Sequence, residues 1–145
     1  MRYWDASAVA PLLITEPPSA RMRELLDEDH RIVTSAWTVV EITSAVERRV
    51  RDGALDRSQR RAVLERLGHL AETWDEVTDV LSVRRRAGQL LARHPLRAAD
   101  AGQLAAALLV APDDGAALPF VCQDQRLADA AEREGLRPIP DPGDV

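Results

Sequence analysis

Four carboxylates occupy comparable places along this chain: Asp5 and Asp124 each close a short apolar run, while Glu41 and Asp100 each stand early in a segment with helical apolar spacing. Such groups brought together cannot all stay ionised without a cation, because like charges raise one another's pKa. Hard divalent ions, Mg²⁺ or Mn²⁺, prefer carboxylate oxygen and keep several waters, so an all-carboxylate pocket suits them. An ion of that kind polarises a phosphoryl oxygen, lowers the pKa of an attacking water and stabilises the leaving oxygen, which points to phosphodiester hydrolysis. Each acid also has a plainer explanation. Asp5 fits a helix N-cap, Glu41 stands three residues after Thr38 as in a capping box with Trp37 stapled onto Ile42, and Asp100 complements a helix dipole.

Composition narrows the field. At 145 residues the chain fits one domain over 1–140 with a short C-terminal tail over 141–145, long enough to bury a core without disulfides or a structural metal. A single cysteine, Cys122, excludes an internal disulfide framework, and His30, His69 and His94 have no zinc-binding spacing. No apolar run approaches the ~20 residues of a membrane span and no signal-type segment opens the chain, so a cytoplasmic location is expected. The net charge of −5 argues against a globally basic nucleic-acid coat. All 19 basic residues are Arg, which removes any mechanism that needs a lysine amine.

The elements that must position the acids read as strands alternating with helices, hence a parallel sheet covered on both faces. Residues 2–4 form a first strand ending at Asp5, and an apolar segment over 8–14 turns helical. Ser19 caps a helix to about Asp27, and residues 32–34 form a second strand running into the helix that carries Glu41. A helical hairpin follows, with Asp56 or Ser58 capping its second arm. Residues 74–77 make a third strand, Thr78 or Asp79 starts the next helix, and Pro95 introduces the Ala- and Leu-rich helix of Asp100. That helix is apolar on nearly every face and is expected to be buried. Residues 118–122 form an inner strand ending in Gln123-Asp124, a helix stops at Gly135, and 137–139 add an edge strand. If the strands are parallel neighbours, their following carboxylates emerge on one edge of the sheet. In open α/β sheets that edge is where ligands bind.

Taken together, Asp5-Ala6-Ser7-Ala8, Glu41 within Val39-Val40-Glu41-Ile42, Leu96-Arg97-Ala98-Ala99-Asp100-Ala101, and Asp124-Gln125-Arg126-Leu127 resemble the PIN-domain ribonucleases, and among them the VapC-type toxins of type II toxin–antitoxin systems. The likeness runs over almost the whole chain, and the order, spacing and total length of the motifs agree. It implies a three-layer α/β/α PIN-like domain with a central parallel β-sheet, Mg²⁺- or Mn²⁺-dependent cleavage of RNA, frequent homodimers and inhibition by a small cognate VapB-type antitoxin. The family's acidic positions carry onto Asp5, Glu41, Asp100 and Asp124, and Ser7 matches the hydroxyl often found two residues after the first Asp. This chain departs from many relatives in having Gly102-Gln103 where Leu-His or Leu-Gln follows the third motif. A helical Gly costs up to ~1 kcal/mol relative to Ala, so close packing or a local irregularity is expected at Gly102.

The expected roles follow. Asp5, Asp100 and Asp124 hold the metal, Glu41 helps directly or through water, and Ser7 orients a carboxylate or a metal water. Arg97 and Arg126, near two of the acids in sequence, are the expected phosphate contacts, ahead of the run Arg84 to Arg86. Apolar side chains of the early helices, Leu12, Leu13, Ile14, Met22 and Leu25, suggest an exposed interface patch. A dehalogenase-type phosphatase and a receiver domain both need a Lys, and a Rossmann or P-loop binder needs glycines after its first strand; this chain has neither feature. The alternative from another class is a catalytically inactive PIN-fold module that binds RNA or protein, and the retention of all four acids argues against it.

Overall fold

The computed structural model describes residues 1–141. Five strands, β1 (Arg2–Trp4), β2 (Ile32–Ser35), β3 (Asp75–Val77), β4 (Pro119–Val121) and β5 (Arg137–Ile139), form one sheet in the order β3-β2-β1-β4-β5. Every neighbouring pair is parallel, with Tyr3 opposite Val33 on one side and Phe120 on the other. The expected parallel sheet is therefore present, with β1 at its centre. The chain leaves β1 towards β2 and later returns to β1's other side as β4, so the switch in winding direction falls between β1 and β4.

The helices are α1 (Ala6–Leu13), α2 (Ser19–Glu28), α3 (Thr38–Arg51), α4 (Arg57–Ala71), α5 (Val80–Arg93), α6 (Ala98–Val110) and α7 (Gln125–Arg133). Strand side chains alternate between faces, and the two cores follow that period. Tyr3, Val33 and Phe120 point to a core closed by α5, α6 and α7, through Leu90, Leu104, Ala105 and Leu127. Trp4, Ile32 and Val121 point to the opposite core with Val9, Met22, Ile42, Val46, Val63 and Leu67 of α1 to α4. Tyr3 and Phe120 stack with ring centroids 5.6 Å apart, locking the two central strands in register. The result is the three-layer α/β/α architecture, and the helix of Asp100 is buried along most of its length.

Local signals differ from the expectation at several points. Ser19 lies inside α2, whose cap position is Pro18; its hydroxyl instead accepts from the Glu16 N–H and donates to the Ile14 carbonyl. Thr38 and Glu41 form no capping box and Trp37 staples nothing, being 62% exposed; the Thr38 side chain is buried against Thr34 and the half-buried Glu41 bonds to Gln103 instead. Gly102 sits in an unbroken α6, and a methyl group there would meet no atom within 4 Å, so neither close packing nor irregularity explains it. Met22, Leu25 and Leu13 are core residues rather than an exposed patch; the exposed large apolar side chains are elsewhere, chiefly Trp37, Val40, Val80 and Leu81. Asp56 caps α4 with a capping box to Gln59, Asp79 caps α5, and Gly135 ends α7 at φ 90°, where a side chain would strain the backbone. Residues 142–145 of the expected tail lie outside the described residues. Among those described, no helix is long and apolar enough to cross a membrane.

The layered core makes a simple forecast. Leu104→Ala, at a fully buried position under the sheet, should cost about 2–5 kcal/mol by cavity formation, while Leu109→Ala, 42% exposed on the same helix, should stay within about 0.5 kcal/mol. Urea unfolding of the two variants checks this, and equal losses would contradict the assignment of α6's inner face.

Candidate active site

All four acids stand at helix starts around the carboxyl ends of β1 and β4. Asp5 follows β1 directly and caps α1; Asp124 follows β4 and caps α7, accepting from the Leu127 N–H at 3.0 Å. Glu41 and Asp100 lie in the first turns of α3 and α6. Four helix N-termini thus present their positive dipole ends to the same region, each worth about 0.3–1 kcal/mol to a nearby anion. The plain and the chemical readings of these residues are compatible: a carboxylate that caps a helix is also one that the backbone holds at a sheet edge.

Asp5 is the anchor. Its Oδ2 accepts from the Ser7 backbone N–H at 3.0 Å and from the Ser7 hydroxyl at 2.5 Å. Ser7 Oγ in turn accepts the Gln123 N–H at 3.0 Å, so one hydroxyl joins the turn after β1 to the turn after β4. Cys122, buried between them, accepts the Asp124 N–H at Sγ and contacts the Asp124 carbonyl, both at 3.3 Å. Burial keeps that thiol protonated, well above the ordinary cysteine range. Ser7 thus holds the Asp5 carboxylate by two donated bonds.

Glu41 Oε2 accepts from Gln103 Nε2 at 3.1 Å, across from α6. Asp100 Oδ2 accepts from Arg97 Nε at 3.3 Å, and the same guanidinium reaches to 3.8 Å from Asp124 Oδ2. Arg97, expected to meet phosphate, here stands between two of the acids. With Asp124, Gln123 and Arg126 it lines an open polar cleft of about 750 Å³. An apolar groove of about 310 Å³ adjoins Glu41 and Gln103 on the other side, walled by Trp37, Val80, Val83 and Ala98. Arg84 lines that groove rather than the polar cleft.

The electrostatics show which acids share a field. Burial, reinforced by the charge of Asp100 and opposed by the bonds from Ser7, pushes Asp5 up to about 6. Burial and the neighbouring Asp5 charge push Glu41 to about 7, against the donation from Gln103 and with a further push from Asp100. Asp5, Glu41 and Asp100 thus repel one another, and Asp124 joins them through Arg97. As the side chains stand, no group of three or more His, Cys, Asp or Glu among the described residues is close enough to grip an ion. The donor set nonetheless fits a hard cation in kind: it is all carboxylate, and neither the buried Asp5 nor the half-buried Glu41 has a cationic partner among the described residues.

Sequence reasoning singled out the four acids and Ser7, gave Thr38 only a capping role, and gave none to Gln103, Thr34 or Cys122. For Gln103 a signal existed, since a lone amide on an otherwise apolar helix must find buried partners, and at three residues from Asp100 it shares a helix side with it. For Thr34 and Cys122 nothing in a short apolar strand distinguishes them.

Raised carboxyl pKa values have a definite sign for stability. Asp5 and Glu41 are easier to keep protonated when folded than when unfolded, where the values are 3.8 and 4.5, so their contribution is fully present below those values and is lost as pH rises through about 6 and 7. In EDTA the protein should unfold at lower urea at pH 8 than at pH 5, and Asp5→Asn should flatten that slope. A wild-type midpoint that rises over this range, or a slope unaltered by Asp5→Asn, would contradict the burial of these charges.

Comparison with known proteins agrees with this layout. The family model for the PIN domain matches residues 2–132. Ribonuclease VapC45 of Mycobacterium tuberculosis (strain CDC 1551 / Oshkosh) is 32% identical over 145 residues, covering 95% of this chain and 94% of its own. Ribonuclease VapC49 of strain ATCC 25618 / H37Rv matches with the same identity and coverage. Among solved structures, the crystal structure of FitAcB from Neisseria gonorrhoeae superposes with a TM-score of 0.66 at 20% identity, over 95% of this chain and 96% of that one, a likeness of fold. A parallel sheet ordered β3-β2-β1-β4-β5, four acids at its carboxyl edge and a family match over nearly the full length place this chain in the PIN-domain family.

Proposed function

We propose that this protein is a divalent-metal-dependent endoribonuclease acting as the toxin of a toxin–antitoxin pair. The observation that carries the proposal is the gathering of Asp5, Glu41, Asp100 and Asp124 at helix starts around the switch point of the sheet, where the first three repel one another. Holding like charges together weakens the fold and is expected where a cation or a reaction uses them. The ribonuclease names of the two relatives supply the substrate class.

Asp5, Asp100 and Asp124 are the proposed holders of Mg²⁺ or Mn²⁺, with Glu41 acting directly or through water. The bound ion would polarise a phosphoryl oxygen and acidify the attacking water. The protein's own contributions are positional. Ser7 fixes the Asp5 rotamer, and the helix starts hold the acids at one edge. Arg97 neutralises Asp100 and Asp124 in the absence of a cation. With a cation held by the acids, Arg97 would be free to turn into the cleft it shares with Arg126, where both can meet RNA phosphates. An acidic protein needs such local arginines to receive a polyanion, and binding through them weakens as salt rises.

The partners are RNA, a VapB-type antitoxin whose segment covers the groove region beside the site, and a second copy of the chain. The face proposed for the dimer is that of Trp37, Val80 and Leu81, which are 62%, 65% and 61% exposed, the first two also walling the apolar groove. A charge there should block association: sedimentation at micromolar concentration should give a dimer for the wild type and a monomer for Val80→Glu. A wild-type monomer, or a dimer untouched by the substitution, would refute that interface.

Asp100→Asn tests the catalytic reading. It removes an exposed ion pair worth about 0–1 kcal/mol and, with it, repulsion against Asp5 and Glu41. RNA cleavage should fall at least ~100-fold, the apo protein should be as stable as wild type or more so, and the rise in Tm on adding Mn²⁺ should shrink, since binding stabilises by mass action. Loss of apo stability with an unchanged Mn²⁺ shift would reduce Asp100 to a helix-start residue.

A further inference from the structure

A directed hydrogen-bond relay runs beneath the acids. Thr34 Oγ1 lies 2.7 Å from the Trp4 carbonyl, which can only accept, so the Thr34 hydroxyl proton is committed to it. The Thr34 and Thr38 hydroxyls are 2.7 Å apart, and with the Thr34 proton already used, Thr38 must be the donor. Thr38 Oγ1 is then free to accept from Gln103 Nε2 at 2.9 Å, which fixes the amide with its nitrogen towards Thr38. The second proton of that nitrogen goes to Glu41 Oε2 at 3.1 Å, and Gln103 Oε1 accepts the Tyr3 hydroxyl at 2.7 Å. Every polar atom of Gln103 is used, its residue is 1% exposed, and its orientation is dictated from the backbone of β1 outwards.

We infer that Gln103 is a positioning residue for the cleavage reaction, which orients the Glu41 carboxylate and ties the helix of Asp100 to the helix of Glu41. This rests on the endonuclease reading above, and it adds a residue that touches neither substrate nor the reacting atoms. Because α6 carries both Asp100 and Gln103, a shift of that helix moves one acid and the orienting donor of another together. The Thr34–Thr38 pair makes the donation to Glu41 one-way: the relay can offer protons to the carboxylate but cannot withdraw its donor by an amide flip without stranding Tyr3 and Thr38.

Two substitutions separate positioning from mere support. Gln103→Met keeps length and removes every hydrogen bond; Gln103→Glu keeps shape and the acceptor for Tyr3 but sets a carboxyl oxygen against Glu41. Turnover and RNA KM are measured in Mn²⁺ for both, for Thr38→Val, and for Glu41→Gln as reference, with melting curves giving the folded fraction. We expect kcat per folded molecule to drop about 10- to 100-fold in both Gln103 variants, with Gln103→Glu the lower, the scale expected from a misplaced catalytic group. Thr38→Val should show a smaller drop in the same direction, and RNA KM should stay within about twofold throughout. A structural role alone would lower melting temperature and leave kcat per folded molecule within about twofold, which overturns the inference. Activity lost in Glu41→Gln but kept in either folded Gln103 variant removes the role of Gln103 alone; full activity in Glu41→Gln removes the reading of Glu41 and the role of Gln103 with it.

Discussion

A carboxylate withdrawn from water costs several kcal/mol unless hydrogen bonds or an opposite charge replace its hydration, and the arrangement around Asp5 answers that constraint. Asp5 is 4% exposed at the end of the central strand and has no cationic partner among the described residues. What it has instead is the start of α1 and two bonds from Ser7, which lower its pKa but do not offset burial. Ser7 can hold that geometry because the Gln123 N–H holds Ser7, and Gln123 is where it is because β4 runs parallel beside β1. The site is thus a consequence of the switch in winding direction: two strands diverge in connection, leave a crevice at their carboxyl ends, and each passes an acid into it.

The other acids enter the same field from both helical layers. Glu41 belongs to the layer of α1 to α4 and Asp100 to the layer of α5 to α7, so the crevice is where the two cores meet over the sheet edge. Gln103 and Thr38 bridge them, and Arg97 supplies the positive charge nearest to Asp100 and Asp124. Helix dipoles at about 0.3–1 kcal/mol each are too weak to cancel the repulsion, which is roughly 3 kcal/mol for two carboxylates ~6 Å apart at an effective dielectric of 20. Uncancelled repulsion of this kind is what a bound cation would relieve. The fold that carries it rests on two apolar cores, one on each face of the five-stranded sheet.

Much of this was readable from the chain. Tyr3 and Trp4, Ile32 and Val33, Phe120 and Val121 are short apolar runs bounded by acids or small polar residues, and in a doubly covered parallel sheet such runs are what inner strands look like. Asp5 and Asp124 were visible because they end those runs. Reading failed where two explanations competed for one side chain. Thr38 and Glu41 have capping-box spacing, but Thr34 in β2 and Gln103, remote in sequence, pull on the same side chains and win because buried hydrogen bonds are worth more than a solvated cap. Met22 and Leu25 looked surplus because one helix was weighed against one layer; α2 in fact packs beside α1 under the sheet, and the surplus apolar surface lies at Trp37 and Val80 instead.

The central claim is that these four acids form a single cation-requiring centre. Crystals soaked in Mn²⁺ and measured at the manganese absorption edge test it most directly, since the anomalous signal marks the ion itself. The expected result is a peak bounded by Asp5 and by Asp100 or Asp124 at ligand distances of about 2 Å, with the Arg97 side chain withdrawn from Asp100. No peak at the carboxyl edge of β1 and β4, or manganese held only by surface acids such as Asp113 and Asp114, would contradict it.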